Sequence, residues 1–197
     1  MFIELAEYLK CPAEHEDAYL VLATGAMKGR AIRYGTLGCP VCRAEYLIVQ
    51  QCVRFGPRPS VPEAPSAGLP NAEAVNALIG LESPGGYVAL VGSAVELAAD
   101  LSTWLPNVHF VCVNAPEGTT PSLTRSLVES TAAIPLRDAV MRGVVLGGEY
   151  PAEPWEREAA RVTLRGQRVV VLRESVVPPS GIATLAAGRG MWVGRRT

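Results

Sequence analysis

Cys11, His15, Cys39 and Cys42 carry the clearest chemistry in this chain. Cys39-Pro-Val-Cys42 holds two thiolates two residues apart, with Pro40 shaping the turn, so both can take adjacent corners of a tetrahedron. Cys11 and His15 can supply the other two corners. Four protein ligands leave no coordination position for a substrate, so such a site is structural zinc rather than catalytic zinc. Other assignments compete for the same residues. Glu14 or Cys52 can stand in for His15 as the fourth ligand, and a lone C-x-x-C can be a redox pair. A redox pair belongs at a helix start in a βαβ unit, whereas this one lies between two strand candidates. The acidic opening MFIELAEYLK has no basic leader region, which sets a cytoplasmic expectation and argues against a disulfide framework.

The elements that must position these ligands are short. Residues 1–10 place Phe2, Ile3, Leu5, Tyr8 and Leu9 around Glu4 and Glu7, which predicts a short helix running into Cys11-Pro12. YLVLAT and GRAIRYGTL, parted by Gly25-Ala-Met-Lys, read as an antiparallel hairpin, and YLIVQQCVRF (46–55) as a further strand. Knuckle, hairpin, knuckle and strand make a zinc ribbon over 1–56. Residues 56–70, GPRPSVPEAPSAGLP, contain five prolines and read as a linker. The expected organisation is a ribbon at 1–56, a linker at 57–70 and a second domain at 71–197.

That second domain opens with Asn71 capping AEAVNALIGL, an amphipathic helix. Tyr87 to Val91 is an unbroken apolar run, as in a parallel strand covered on both faces. Gly92 and Ser93 turn the chain, with Ser93 expected to cap the next helix. Val95, Leu97, Ala98, Leu101 and Leu105 recur at helical spacing, and Val108 to Val113 is a second strand. Strand, crossover helix and parallel strand open a doubly wound α/β sheet, whose ligands lie beyond the carboxyl ends of the strands. Gly92, Ser93 and Asn114 therefore line the place of a nucleotide-like cofactor. Farther along, the pattern predicts a helix from about Ser122 to Glu129 and a short third strand over 132–135. It then predicts a strand over 140–146, a helix over 153–163, a strand over 164–172 and a terminal hairpin.

The ribbon residues carry a resemblance. Leu9, Cys11, Pro12, Leu37, Cys39, Pro40, Cys42, Tyr46 and Ile48 follow the pattern of the short zinc-ribbon proteins that activate tRNA and translation-factor methyltransferases. The usual second cysteine of the first knuckle is missing, and His15 lies two positions later. Residues 71–197, with Ile134-Pro-Leu-Arg-Asp138 before the fourth strand, resemble the class I S-adenosylmethionine-dependent methyltransferases in layout. That family's first loop is an acid followed by G-x-G-x-G, where this chain has Val91-Gly92-Ser93-Ala94-Val95. An acid normally ends the second strand and takes the ribose hydroxyls; Asn114 stands there, and Ala133 falls where adenine is often met. The resemblance implies a degenerate methyltransferase-like domain with an accessory or assembly role, acting through a protein partner or self-association. The alternative is an active methyltransferase using S-adenosylmethionine.

Charge and composition narrow the field less. Hydrophobic residues make up 49% and charged residues 19% of the 197 residues, a packed globular composition. No apolar run approaches the roughly 20 residues that cross a bilayer, so no membrane role is expected. Residues 150–197 hold eight Arg against four acids. These solvate a helix and an edge strand, or meet an anionic partner such as RNA. Cys112 reads as an apolar filler, His109 as a satisfied core or edge histidine, and Asp138 and Glu149 as turn or cap residues. Trp104, Trp155 and Trp192 read as packing anchors.

Overall fold

Residues 1–57, 69–150 and 152–197 are described by the structure, a computed structural model; most of the expected Pro-rich linker, 58–68, lies outside them. The strands are β1 (Val21–Lys28), β2 (Ala31–Gly38), β3 (Glu45–Val49), β4 (Cys52–Phe55), β5 (Tyr87–Val91) and β6 (His109–Val113). They continue as β7 (Arg125–Ser130), β8 (Met141–Leu146), β9 (Thr163–Val171), β10 (Ile182–Gly188) and β11 (Met191–Arg196). Helices α1 (Ala72–Ile79), α2 (Ala98–Trp104) and α3 (Ala152–Val162) complete the chain, with 3-10 turns at Ile3–Tyr8 and Gly92–Leu97.

All of these strands form one sheet, in the order β1-β2-β3-β4-β7-β6-β5-β8-β9-β11-β10. From β7 to β9 the neighbours are parallel, and the chain moves outward from β5 first one way and then the other. This is a doubly wound, Rossmann-like α/β sheet whose direction reverses between β5 and β8. β11 and β10 close one side as an antiparallel hairpin. On the other side the antiparallel strands β1 to β4 join the same sheet, because β4 lies parallel to β7 with Cys52 opposite Leu127 and Phe55 opposite Ser130. Arg54 faces Glu129 across that seam and pairs with it at 3.2 Å.

Alternate residues of the central strands feed opposite faces, as a two-residue period dictates. Val88, Leu90, Phe110, Cys112 and Val145 pack beneath α1 and α2. Ala89, Val91, Val111, Val113 and Leu146 pack with Trp155, Ala159 and Val162 of α3 and with the N-terminal residues Leu5 and Leu9. No helix is present in the β6–β7 connection (114–124) or in the β7–β8 connection (131–140). On the α3 face the N-terminal segment covers the sheet. Phe2 N–H donates to Ser126 Oγ at 3.0 Å, Phe2 and His109 rings lie 4.9 Å apart, and Leu9 bridges to Leu136.

Several expectations need correcting. The helix predicted from about Ser122 to Glu129 is the strand β7. Leu123, which would have completed its apolar stripe, is 82% exposed, and hydrogen bonds from β4 and β6 on either side hold the segment extended. Residues 132–135 form no strand: 131–133 are bends, and Leu136 makes only an isolated bridge to Leu9. The Arg161 guanidinium there donates to the carbonyls of Ile134 and Leu136 at 2.9 and 2.8 Å and pairs with Asp138 and Glu158. Ser93 caps no helix; the chain leaves β5 into a 3-10 turn, and its hydroxyl goes elsewhere. The opening segment is likewise a 3-10 helix. Asn71 caps α1 as expected, accepting from Glu73 N–H at 2.9 Å. Glu153 is extended, so the regular turns of α3 start at Pro154, a position that needs no N–H. Trp155 and Trp192 are buried and Trp104 is half exposed.

Candidate functional site

The Cys39–Cys42 knuckle is built by backbone. Arg43 N–H donates to Cys39 carbonyl at 3.0 Å, Cys39 N–H donates to Ala44 carbonyl at 2.8 Å, and Arg43 takes a left-handed conformation (φ 61°) to complete the turn. The knuckle faces Cys11 and His15, which follow the N-terminal 3-10 helix, His15 in a run of bends over 13–16. All four ligand atoms lie within 4.8 Å of one another. Cys11 Sγ is 3.7 Å from Cys42 Sγ, and Cys39 Sγ is 3.3 Å from His15 Nε2. A tetrahedron with zinc–sulfur bonds of about 2.3 Å and a zinc–nitrogen bond of about 2.0 Å has edges of about 3.8 Å (S–S) and about 3.5 Å (S–N). The donor set and spacing fit that ion. Cys52 is remote from the cluster, its Sγ directed at the Val53 carbonyl on β4.

The surroundings suit a metal. His15 Nδ1 lies 2.6 Å from Glu16 carbonyl, which fixes the proton on Nδ1 and leaves the Nε2 lone pair for coordination. Burial acts to raise the Cys39 thiol, but N–H groups of Cys42 and Val41 and the neighbouring thiols outweigh it and bring it down to about 7. Tyr46 Oη is 2.9 Å from Cys11 Sγ; burial, and next the bond to Cys11, push its pKa up, so it stays a donor. The cluster borders a cavity of about 230 Å³ whose far wall is Ala133, Ile134, Pro135, Glu158 and Arg161.

The second candidate site is the point where the sheet reverses, beyond the carboxyl ends of β5, β6 and β8. Gly92 follows β5 with φ 63°, a left-handed conformation that costs glycine least. Next to it, Glu149 of the β8–α3 loop reaches in. Ser93 donates its N–H to Glu149 Oε1 at 2.6 Å and its hydroxyl to Oε2 at 2.7 Å. A Cβ at Gly92 would meet Glu149 Oε1 and the Tyr150 ring inside 3.0 Å, and one at Gly147 would meet the same carboxylate. Arg173 holds this loop by donating to the carbonyls of Gly148 and Tyr150 while pairing with the buried carboxylate of Glu156.

Asn114 at the end of β6 is 1% exposed. Its amide donates to Ser130 carbonyl and its oxygen accepts from Ser130 N–H, both at 2.8 Å, so it bridges β6 and β7. Gly92 and Ser93 are thus brought together around Glu149, while Asn114 is engaged with β7. Among the described residues, two buried hydroxyls in this region, Tyr150 Oη and Ser130 Oγ, have no partner within hydrogen-bond geometry, although the Asn114 amide lies beside Tyr150 Oη. Burial, eased by the neighbouring Asn114 amide, pushes Tyr150 up to about 12. By its place after a predicted strand, Glu149 reads as a turn or cap residue. Its spacing from Ser93 gave no sign that it closes on the first loop, because that contact depends on strands 56 residues apart being neighbours.

Solved structures with a similar chain path include proteins described as methyltransferases. A SAM-dependent methyltransferase of Aquifex aeolicus is 17% identical over 65% of this chain and 89% of its own, with a TM-score of 0.46. A protein of Anabaena variabilis, described as a methyltransferase from an antibiotic biosynthesis pathway, is 18% identical over 51% of this chain, with a TM-score of 0.40. The complex between the Haloferax volcanii Trm112 methyltransferase activator and a methyltransferase matches at 18% identity over 51% of this chain, with a TM-score of 0.40. The chain spans 43% of the Anabaena protein and 50% of the Haloferax one. No protein-family model matches the sequence, and no curated protein is detectably similar to it. Among the described residues no helix is long and apolar enough to cross a membrane.

Proposed function

We propose that this protein is a zinc-stabilised accessory or assembly protein: a ribbon at 1–56 carried on a methyltransferase-like domain at 71–197 whose cofactor crevice is closed by its own Glu149. The observation that carries this reading is the pair of bonds from Ser93 to Glu149. A ligand seated on the first loop would use that N–H and hydroxyl, and both already serve a carboxylate of the chain. Asn114, standing where an acid would take ribose hydroxyls, spends its amide on Ser130. Arg173 anchors the backbone on either side of Glu149, which keeps the carboxylate beside the first loop. Cys11, His15, Cys39 and Cys42 would hold zinc as a closed structural site, which ties the N-terminal 3-10 helix to the β2–β3 turn. With the crevice closed, the protein acts on a protein partner or on a second copy of itself.

A second reading keeps the enzyme. Among the described residues, Tyr150 Oη and Ser130 Oγ are buried with no partner in hydrogen-bond geometry, and unsatisfied buried hydroxyls are where a polar ligand or water is expected. In that reading Glu149 swings out and S-adenosylmethionine lies against Gly92, Ser93 and Asn114. Calorimetric titration of zinc-replete protein with S-adenosylhomocysteine separates the two. The accessory reading expects no binding to millimolar concentration by the parent chain. Micromolar binding, abolished by Gly92→Trp, overturns it in favour of methyl transfer. Glu149→Ala is the informative variant: binding gained only there assigns the closure to this side chain.

A further inference from the structure

At the opposite end of the sheet from Glu149, three arginines line one cavity of about 300 Å³: Arg142 at the start of β8, Arg168 on β9 and Arg195 on β11. Two of them are held in place by neutral acceptors. Arg142 donates to the carbonyls of Pro84 and Gly85 at 3.0 and 2.5 Å and to Ser83 Oγ at 2.8 Å. Arg168 donates to the carbonyls of Ala77 and Leu78, at the end of α1, at 3.4 and 3.1 Å. Both lie flat on glycine backbone: a Cβ at Gly80 would run into the Arg168 guanidinium, and one at Gly86 into the Arg142 side chain. Arg195 is exposed and has no hydrogen bond or ion pair to a described residue.

Arg168 and Arg195 are direct cross-strand partners in the β9–β11 register. Like charges facing each other on adjacent strands are destabilising, and no carboxylate among the described residues pairs with Arg168 or Arg195. Glu82, the one acid in the lining, is exposed and pairs with none of the three among the described residues. An anion between the guanidiniums would relieve that repulsion. Arginine presents a planar fork of donors that matches phosphate oxygens, and two of these forks are already immobilised. The volume is that of a small-molecule pocket rather than of a groove tracking a polymer.

We infer that this cavity binds the phosphate group of a small ligand, with Arg142 and Arg168 as the fixed cradle and Arg195 closing on it. The site is separate from both the cysteine cluster and the Glu149 crevice, and stands independently of the function proposed above. The test uses the full zinc-replete chain and two probes, inorganic phosphate and pyrophosphate, titrated by calorimetry at constant ionic strength. Saturable 1:1 binding is expected, with pyrophosphate the tighter. Arg195→Gln should weaken it about tenfold or more. Because it removes a repulsive pair, the same variant should melt no lower than the parent without phosphate and lose the phosphate-dependent rise in melting temperature. Arg165→Gln, an exposed change on β9 outside the lining, should leave binding as it was. Unchanged binding in Arg195→Gln, or a stabilisation that sodium chloride reproduces, would overturn the proposal. So would a single-stranded RNA that binds more tightly than pyrophosphate and is weakened equally by Arg165→Gln, since that describes a diffuse basic face.

Discussion

Acidification should unfold this protein partly through His109, and the size of the effect follows from how the ring is held. The imidazole lies between the rings of Phe2 and Tyr87, at centroid distances of 4.9 and 5.6 Å. Its Nε2 is 2.9 Å from Ser126 Oγ, which already accepts the Phe2 N–H at 3.0 Å. With the ring also hydrogen-bonded to the Leu123 backbone, which takes its one N–H in the neutral form, Nε2 accepts from the Ser126 hydroxyl. Burial lowers the pKa from 6.5 to about 4, although a hydrogen bond to the Leu123 backbone works the other way. A base with a lowered folded-state pKa binds fewer protons folded than unfolded, so stability is full above about 6.5 and falls as pH drops through that window toward 4. At about 1.4 kcal/mol for each pH unit, the loss attributable to this group is about 3 kcal/mol by pH 4. The Met1 amino group, brought down to about 5 by burial, adds a loss of the same sign at higher pH. The assay is urea denaturation from pH 7.5 to 4.5 on the parent and on His109→Gln, in which the Met1 contribution cancels. The variant should start less stable and fall less steeply below pH 6.5. Parallel curves would refute the reasoning.

Three further outcomes test other parts of the structure. Gly92→Ala forces a side chain into left-handed backbone and against Glu149 and Tyr150, and should cost about 2–4 kcal/mol in chemical denaturation. Purified protein should carry about one zinc per chain by elemental analysis; chelation or His15→Ala should lower stability by about 4 kcal/mol where free zinc had stood a thousandfold above its Kd. Arg161→Ala strips the carbonyls of Ile134 and Leu136 and the Glu158 carboxylate of their shared donor, and should cost about 2–4 kcal/mol by thermal or urea melting.

Both ends of the chain's logic could be read from residues, for different reasons. The cysteine cluster was legible because C-x-x-C geometry is local, and because the histidine and third cysteine had few competitors. β5, β6 and β8 announced themselves as apolar runs buried on both faces, and β9 by the apolar run at its end, Val169 to Val171. β7 did not, because Leu123 and Leu127, four apart, satisfy a helical stripe as well as Leu127 and Val128 satisfy a strand, and only the neighbouring strands decide. Residues 132–135 misled in the opposite direction. Ile134 and Leu136 are buried, but against the N-terminal segment and Arg161 rather than in a ladder. Ser93 has the composition of a cap and the tertiary role of a donor to Glu149. Neither the Arg168–Arg195 juxtaposition nor the reach of Glu149 has any local signature, since both arise from strand order.

The parallel seam between β4 and β7 joins two stretches of a single polypeptide. A strand supplied by a separate molecule leaves when that molecule is diluted below its dissociation constant, whereas this one cannot diffuse away. Its attachment is a first-order equilibrium, indifferent to concentration. The cysteine cluster and the Glu149 crevice thereby share one hydrogen-bonded framework, and loosening either is felt as lost sheet by the other. The flank of β7 is also no longer on offer: an incoming chain that sought to extend the sheet there would have to displace a tethered competitor first.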